Sequence, residues 1–565
     1  MKGVAALAVA MAAAVAVVAW QPVASPWWIY ADADASYMAS SVDAMVGEHL
    51  IYLDHPGMPL QDLMALTVEA RYLAHRATGG HGSARDYAGQ RLLHLDDSRI
   101  FFRGYAILFY LAGALLAFVV FRKLLGDPWW GTVGALAWLA APGMRAMSIQ
   151  YRPDGLLAGA VLAVGYLIVR AAQRRDAWTY TQAALLLGLA LTLKIHAAAL
   201  FAPFAVALLW RRPGPGWEQA WRADAGRWLR RYRVPLILFA VVWIAGCAIF
   251  DPHRIATGVP SHQLHGFAAI AAAFVVVVAA ALVLRQRLLA LLLAALAVGV
   301  VLPGTLVIND LPEMVVKIVQ GLTGSGANSG VQPFSTPVRE LFHQPLLPTT
   351  VLLVLSAVAA AVGARRRDFV PAMWFSGSAL AYVMASARLG TVHYYAPAFV
   401  LALPPTLWLV AQLEPRLTYA AAAVGLALLL YSPIRQLPDQ RRSARLQEQQ
   451  WAQIEPIGDR LLTKPGTLAV VEDYTDPVPD VRWHVLVSQY AEWVPPYPYR
   501  YLDDSGASKT LADQLKLEPR YFVGGLPLDL HGPTREQLAF GSYVVRPLPV
   551  PAAARRLSVG WAALR

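Results

Sequence analysis

The stretch from Phe101 to Phe121 reads FFRGYAILFYLAGALLAFVVF and decides the fold class. An apolar run of about 20 residues with few charges is long enough to cross a bilayer as an α-helix. The composition of the whole chain agrees, because 57% of its 565 residues are hydrophobic and only 15% are charged. Soluble chains normally carry about 25% charged residues. The sequence therefore predicts a polytopic membrane protein with an all-α membrane domain.

Apolar segments on both sides of this stretch predict about thirteen transmembrane helices in all. Several are shorter than a full crossing needs, which favours tilted or half-inserted helices. The run from Val4 to Trp20 is longer than the apolar part of a signal peptide, and we expect it to be a retained first helix with a cytoplasmic N-terminus. The other segments are residues 129–148, 154–169, 178–194, 197–210, 234–250, 267–284, 288–308, 349–363, 369–386, 396–411 and 417–432.

The loops between these segments alternate in charge. Arginine and lysine clusters mark one side, which the positive-inside bias assigns to the cytoplasm, and carboxylates gather on the other. We read the net charge of +12 as membrane orientation, since no basic cluster interleaved with aromatic residues predicts nucleic-acid binding. The single cysteine, Cys247, lies in an apolar run and excludes a cysteine metal site. The basic clusters lie at 122–123, 170–175, 211–233, 285–287 and 365–367.

A change of composition divides the chain near residue 435. Residues 1–435 form the predicted membrane domain, with long extracytoplasmic loops at 24–100 and 309–348. Ala35 to His49 and Pro59 to Thr78 in the first loop have the pattern of helices that lie along the membrane interface.

Residues 436–565 predict a soluble α/β domain on the extracytoplasmic face. Proline, aspartate, glutamate and tyrosine become common there. Polar stretches compatible with helices lie between short runs rich in β-branched and aromatic residues. These strand-like runs are residues 468–472, 483–487, 521–523 and 543–545.

The acidic start of the first loop is the first candidate for chemistry. Asp32 and Asp34 follow the first span directly. Sugar transfer with inversion needs a base that takes the proton of an acceptor hydroxyl, and a carboxylate beside the membrane suits a lipid-linked donor. The alternative is structural, because Asp34 could cap the helix predicted to follow it. The residues alone leave these two interpretations equal.

The turn Asp54-His55-Pro56-Gly57 is the second candidate. Proline holds His55 extended, and the Pro-Gly pair predicts a tight turn. Asp54 and His55 would then face the space above the membrane, where they could bind a metal, a phosphate or a sugar hydroxyl. A turn with a capping aspartate explains the same residues, and for a single histidine that is the more common outcome.

Ionisable residues also lie at the outer ends of predicted spans. Arg152-Pro153-Asp154 opens one span, where proline and an acid also favour a helix start for purely structural reasons. Lys194 ends another span and could either extend to the interface or attract a lipid phosphate. Arg388, His393 and Tyr394 lie at the outer end of a later span and could do likewise. Their shared face favours one common site.

The order of these elements resembles the bacterial branch of the glycosyltransferase C-fold superfamily, which includes aminoarabinose transferases, protein O-mannosyltransferase-like enzymes and lipopolysaccharide-core sugar transferases. In that family an acidic pair precedes a tyrosine just after the first helix, as Asp32 and Asp34 precede Tyr37 here. Ala33 separates the pair, which leaves open which aspartate is the base, and Gly57 stands where the family has a second proline. The resemblance covers residues 1–435. Its other elements are Tyr52-Leu53-Asp54-His55-Pro56, Arg103-Gly104-Tyr105, Pro153-Asp154, the run from Gly188 to Lys194, and His393-Tyr394-Tyr395-Ala396-Pro397.

The resemblance implies a transferase of the bacterial cytoplasmic membrane. It would take a sugar from a polyprenyl-phosphate-linked donor and pass it to an envelope glycan, lipid or protein on the extracytoplasmic side. Asp34 is then the first choice for the general base and Asp32 the second. Some family members use a divalent metal ion, for which Asp32, Asp34 and His55 have suitable ligand atoms. The residues expected to bind substrate or phosphate are Asp54, His55, Arg103, Arg152, Asp154, Lys194, Arg388, His393 and Tyr394.

Two other classes of protein compete with a transferase. A transporter or flippase of lipid-linked sugars predicts charged or broken helices at the bilayer midplane and internal repeats. The ionisable residues here gather at one face instead, and no inverted repeat is evident in the sequence. A non-catalytic envelope assembly protein would leave the acidic first loop unexplained. We therefore expect a transferase.

Overall fold

The computed structural model describes residues 2–19, 21, 31–46, 57–93, 98–250, 275–303, 346–387, 392–414 and 416–431, isolated positions between 338 and 445, and four strands between 469 and 547. Contacts divide the chain into two compact units. One consists of Met1–Val23, Ala44–Ala70 and Phe101–Leu437. The other consists of Ala24–Asp43, Arg71–Ile100 and Pro438–Arg565. The boundary at residues 435 and 436 stays a prediction.

The described part of the membrane region is helical. Apolar runs form these helices because backbone groups in lipid must be hydrogen-bonded within their own segment. The helices are α1 (Lys2–Ala19), α2 (Ala31–Val46), α3 (Met58–Ala77), α4 (Ala84–Leu93), α5 (Arg99–Leu125), α6 (Pro128–Leu139), α7 (Met144–Met147), α8 (Pro153–Arg174), α9 (Ala177–Leu193), α10 (Phe201–Arg211), α11 (Trp217–Phe250), α12 (Arg287–Val301), α13 (Leu347–Arg365), α14 (Val370–Ala387), α15 (Ala396–Val410) and α16 (Arg416–Tyr431).

Four of the described helices are long and apolar enough to cross a membrane, namely α1, α5, α8 and α13. Shorter apolar helices accompany them, including α9, α12 and α16. A multi-pass membrane protein is thus confirmed, whereas the total of about thirteen spans stays a prediction.

Two predicted spans are interrupted. The segment predicted at 129–148 forms α6 and the short α7, because a turn at Pro142-Gly143 separates them. The segment predicted at 197–210 begins as a 3₁₀-helix, Ile195–Leu200, before α10 continues it. Both interruptions lie next to residues of the candidate site described below.

The first loop contains both helices that the sequence predicts, and the largest difference in their bounds is at the start of the first. Helix α3 starts at Met58 and carries Pro59 in its first turn, close to the predicted start. Helix α2 begins at Ala31 rather than Ala35, so Asp32 and Asp34 lie inside its first turn. Carboxylates there are favoured by the positive end of the helix dipole, which explains the earlier start. The alternative interpretation, in which Asp34 is the N-cap of a helix that begins at Ala35, does not fit this helix start.

Helices α9 and α12 pack backbone against backbone through two glycines. A Cβ atom on Gly188 would lie 2.1 Å from the Leu296 carbonyl oxygen, and one on Gly299 would lie 2.0 Å from the Leu185 carbonyl oxygen. Small residues allow this approach, and van der Waals contact between helices drives association in a membrane. The glycine that opens the run from Gly188 to Lys194 thus has a packing role.

Four short strands form one sheet in the C-terminal region. They are β1 (Ala469–Val471), β2 (Tyr521–Gly525), β3 (Leu538–Phe540) and β4 (Tyr543–Pro547), in the order β1-β2-β4-β3. Strands β1 and β2 run parallel, and the other two pairs are antiparallel. The strand predicted at 483–487 lies outside the described residues, and the α/β domain as a whole stays a prediction.

We expect Gly188→Val to lower the thermal stability of the detergent-solubilised protein strongly, because two helix backbones would have to separate. Gly104→Ala is the matched control, since it also adds a side chain within an apolar helix but meets no atom within 4 Å. The apparent melting temperatures of the two variants provide the comparison. Equal effects would show that the contact between α9 and α12 contributes little to stability.

Candidate active site

A buried carboxylate lies at the centre of the candidate site. Asp154 is in the first turn of α8, after Pro153, and only 3% of its surface is exposed. The Lys194 ammonium donates a hydrogen bond of 2.7 Å to Asp154 Oδ1. Arg152 approaches the other oxygen, with 3.4 Å between Nε and Oδ2. Because an isolated charge is very costly away from water, Asp154 requires these two cations.

An interruption in the chain places Lys194 beside this carboxylate. Helix α9 ends at Leu193, and Lys194 itself is extended, with φ −166° and ψ 143°, before the 3₁₀-helix Ile195–Leu200. This single extended residue lets its side chain leave the helix axis and meet the start of α8. Lys194 is only 4% exposed, so its charge depends on the buried partner.

Arg152 forms a second contact, with a residue far along the sequence. Its Nη2 atom lies 3.2 Å from Nε2 of His393, which belongs to the 3₁₀-helix Val392–Tyr395 before α15. A guanidinium group can only donate hydrogen bonds. His393 Nε2 must therefore accept this bond, so the proton of the neutral ring is on Nδ1.

Tyr394 forms the aromatic part of the cluster. The Lys194 ammonium lies 4.1 Å from the centre of its ring, a cation–π distance. The rings of His196 and His393 lie 5.1 Å and 4.5 Å from it. The aromatic ring and the carboxylate thus hold Lys194 from two directions.

The beginning of α3 lies beside the same residues. The Gly57 backbone N–H donates to the carbonyl oxygen of Leu193, at 3.1 Å, directly before Lys194. The hydroxyl of Tyr151, directly before Arg152, donates to the carbonyl oxygen of Leu60. Gly57 follows the predicted turn and has φ +49°, which favours glycine. The end of the Asp54-His55-Pro56-Gly57 element is thereby attached next to the cations.

A turn between α6 and α7 approaches His393 closely. Met144 N–H donates to the Ala141 carbonyl at 3.0 Å, and Gly143 has φ +74°, which is the geometry of a type II turn with Pro142 and Gly143 at its centre. A Cβ atom on Gly143 would lie only 2.5 Å from Cβ of His393. None of the sequence motifs includes Gly143, although the Pro-Gly pair is a recognisable turn signal.

The structure thus brings together Arg152, Asp154, Lys194, His393 and Tyr394, all of which the sequence predicts. Arg103 is buried near the start of α5, between Phe102 and Tyr105, whose rings each lie 6.4 Å from the Tyr151 ring.

The remaining predicted residues are described in part or not at all. Asp54, His55 and Arg388 lie outside the described residues. For Asp32 and Asp34 only the backbone of α2 is described. A metal-binding role of Asp32, Asp34 and His55 therefore stays a hypothesis, and the role of each residue in catalysis stays a prediction.

Glu69 is a further acidic residue of the first loop that the motifs did not indicate. It lies on α3, is 6% exposed, and burial raises its pKa to about 6. A carboxyl group with such a pKa exchanges its proton near neutral pH. A charged residue in the middle of a helix gives no signal in the sequence that it will be buried.

A known protein family matches part of the membrane region. The family described as dolichyl-phosphate-mannose-protein mannosyltransferase matches residues 93–244. The chain resembles that family. The matched segment includes Arg103, Arg152, Asp154 and Lys194, and it supports the predicted likeness to the glycosyltransferase C-fold superfamily.

One solved structure is similar over most of its length. It is the crystal structure of ArnT from Cupriavidus metallidurans bound to undecaprenyl phosphate, which shares 15% sequence identity with this chain. The similarity covers 95% of this chain and 96% of that chain, with a TM-score of 0.46. No curated protein sequence matches the chain significantly.

We expect Lys194→Ala to destabilise the protein by about 3–5 kcal/mol, because it leaves a buried carboxylate with a weaker partner. The double variant Lys194→Ala/Asp154→Ala should be more stable than Lys194→Ala alone, since it removes both charges. Arg227→Ala breaks the exposed pair with Asp224 and should change stability little. Chemical denaturation in detergent measures these three variants and Asp154→Ala alone. If the double variant is as unstable as the sum of the two single variants, the two charges do not depend on each other.

Proposed function

We propose that the protein transfers a sugar from a polyprenyl-phosphate-linked donor to an envelope glycan, lipid or protein on the extracytoplasmic side of the bacterial cytoplasmic membrane. The family match to residues 93–244 supports a membrane glycosyltransferase that uses a donor of this class. The observation that carries the proposal is the buried cluster of Arg152, Asp154 and Lys194.

The charge of this cluster suits a lipid phosphate. Two cations, Arg152 and Lys194, surround one carboxylate, Asp154, which leaves one net positive charge at the beginning of α8. Membrane interiors tolerate ionisable residues mainly where they serve a function or have partners. The excess positive charge attracts the donor phosphate, and the carboxylate holds both cations in place while no donor is bound.

The same cations stabilise the leaving group during transfer. The acceptor oxygen forms a bond to the anomeric carbon while the bond from that carbon to the phosphate oxygen breaks. Polyprenyl phosphate leaves with the electron pair and gains negative charge, which Arg152 and Lys194 offset in surroundings with little water. The acceptor proton passes to a carboxylate base.

Asp34 is the proposed base, with Asp32 as the second choice. Both belong to the first turn of α2, next to the predicted end of the first span. Positions two apart on a helix do not share a face, so only one of them is expected to meet the acceptor. The order of acidic residues and Tyr37 favours Asp34.

The charges at the other helix ends support the proposed side of the membrane. Helix α8 begins at the cluster and carries Arg170 and Arg174 near its far end. Helix α5 likewise carries Arg122 and Lys123 in its last turn. Since basic residues favour the cytoplasmic side, the cluster is proposed to face the opposite side.

Turnover distinguishes a transferase from the alternative, a flippase of lipid-linked sugars. The purified protein in nanodiscs would be incubated with undecaprenyl-phosphate sugars and envelope acceptors, with and without EDTA. A transferase releases undecaprenyl phosphate in step with glycosylated acceptor, whereas a flippase leaves the donor intact. The EDTA arm measures whether a divalent metal ion takes part. Donor that remains intact with every sugar and acceptor would argue against transfer.

Asp34→Asn should reduce transfer by about 100- to 10,000-fold, because an amide cannot accept the acceptor proton. Membrane insertion and melting temperature should remain close to those of the unchanged protein. Asp32→Asn is the matched variant, two positions earlier in the same turn. If Asp32→Asn is inactive and Asp34→Asn is active, Asp32 is the base. Normal transfer by the double variant would refute a base at either position.

Arg152→Gln should weaken the binding of undecaprenyl phosphate by about tenfold or more, since a hydrogen bond to a charged group contributes about 1.5–3 kcal/mol. Arg230→Gln removes an exposed arginine from α11 and should leave binding unchanged. Thermophoresis in detergent with undecaprenyl phosphate gives both dissociation constants. Equal affinities for the two variants would remove Arg152 from the proposed phosphate site.

A further inference from the structure

The turn at Pro142-Gly143 touches the candidate site at one residue. Gly143 approaches His393 so closely that a Cβ atom on the glycine would lie 2.5 Å from His393 Cβ and 2.8 Å from its Cα. Its φ of +74° is also in the region where only glycine is unstrained. The space and the backbone conformation at residue 143 thus both require glycine.

His393 in turn contacts the guanidinium of Arg152. The distance of 3.2 Å between Nη2 and Nε2 is near the upper limit for a hydrogen bond. A shift of His393 by about 1 Å, which would restore an ordinary carbon–carbon distance of about 3.5 Å at residue 143, would break this contact. Asp154 contacts the Nε atom of Arg152, so the His393 imidazole sets the orientation of the guanidinium at Nη2.

We propose that Gly143 is a positioning residue. By admitting the backbone of His393, it lets Nε2 of the imidazole hold the Arg152 guanidinium in the orientation that receives the donor phosphate. This inference rests on the proposed function, and it adds a residue outside the sequence motifs to the control of phosphate binding. Gly143 itself contacts no substrate.

The sequence context supports a role beyond turn formation. Gly126 has a similar φ of +84° at the end of α5, but a Cβ atom there would meet nothing within 4 Å. An alanine at residue 126 therefore introduces the same kind of backbone strain without moving any neighbour. The two glycines separate the cost of a left-handed backbone from the effect of displacing His393.

The test measures the binding of undecaprenyl phosphate to four variants in detergent. Gly143→Ala should weaken binding by about tenfold, the value expected for a lost hydrogen bond to a charged group, whereas Gly126→Ala should bind as the unchanged protein does. His393→Ala should weaken binding to a similar degree. Adding Gly143→Ala to His393→Ala should cause no further loss, because the imidazole through which Gly143 acts is already absent.

Independent losses that multiply in the double variant would overturn the inference, as would unchanged binding by Gly143→Ala. If Gly143→Ala does not accumulate, Gly143→Ala/His393→Gly should accumulate to a higher level than Gly143→Ala because it removes the nearest contact, and no increase would overturn the inference. Failure of the unchanged protein to bind undecaprenyl phosphate is a different result. It would refute the proposed function, and this inference would fall with it.

Discussion

The need to neutralise Asp154 organises the part of the structure that surrounds the candidate site. A carboxylate with 3% of its surface exposed, at the start of an apolar helix, cannot remain charged without partners close by. Lys194 provides one partner at 2.7 Å and Arg152 a second at 3.4 Å. An electrostatic contact therefore joins the start of α8 to the end of α9, in addition to the apolar packing of the two helices.

Irregular backbone makes these contacts possible. Lys194 is extended between α9 and a 3₁₀-helix, His393 belongs to another 3₁₀-helix, and Gly143 forms a tight turn. Non-helical backbone at a membrane surface needs other partners for its polar groups. The Gly57 N–H donates to the Leu193 carbonyl and is satisfied there, and the Tyr151 hydroxyl donates to the Leu60 carbonyl within α3. The same bonds that satisfy the backbone also join the first loop to the cations.

Local patterns were sufficient for most of the membrane region. Apolar runs predicted the positions of α5, α8, α9, α13 and α14 to within a few residues, because a helix in lipid must satisfy its own hydrogen bonds. The same patterns failed where one residue changes the chain direction. Neither the break at Pro142-Gly143 within a predicted span nor the start of α2 at Ala31 was expected. In both cases local turn and dipole effects outweigh the apolar pattern.

The sequence predicted which residues belong to the candidate site, but it did not predict which of them contact each other. The order of motifs indicated Arg152, Asp154, Lys194, His393 and Tyr394 as members of one site. It did not indicate which cation meets the carboxylate, nor that Tyr394 covers Lys194. Ion pairing depends on distances of a few ångströms, and a sequence pattern gives only the side of the membrane.

The sequence by itself determined the membrane class and the bounds of most helices, because both depend on local hydrophobicity and charge. Only the tertiary structure decided the partners, since these come from distant parts of the chain. Lys194 lies 40 residues from Asp154, and His393 lies 241 residues from Arg152. The close approach of Gly143 to His393 was likewise decided by the tertiary structure. The turn alone favours glycine at residue 143, and the contact with the distant His393 adds a second requirement for it.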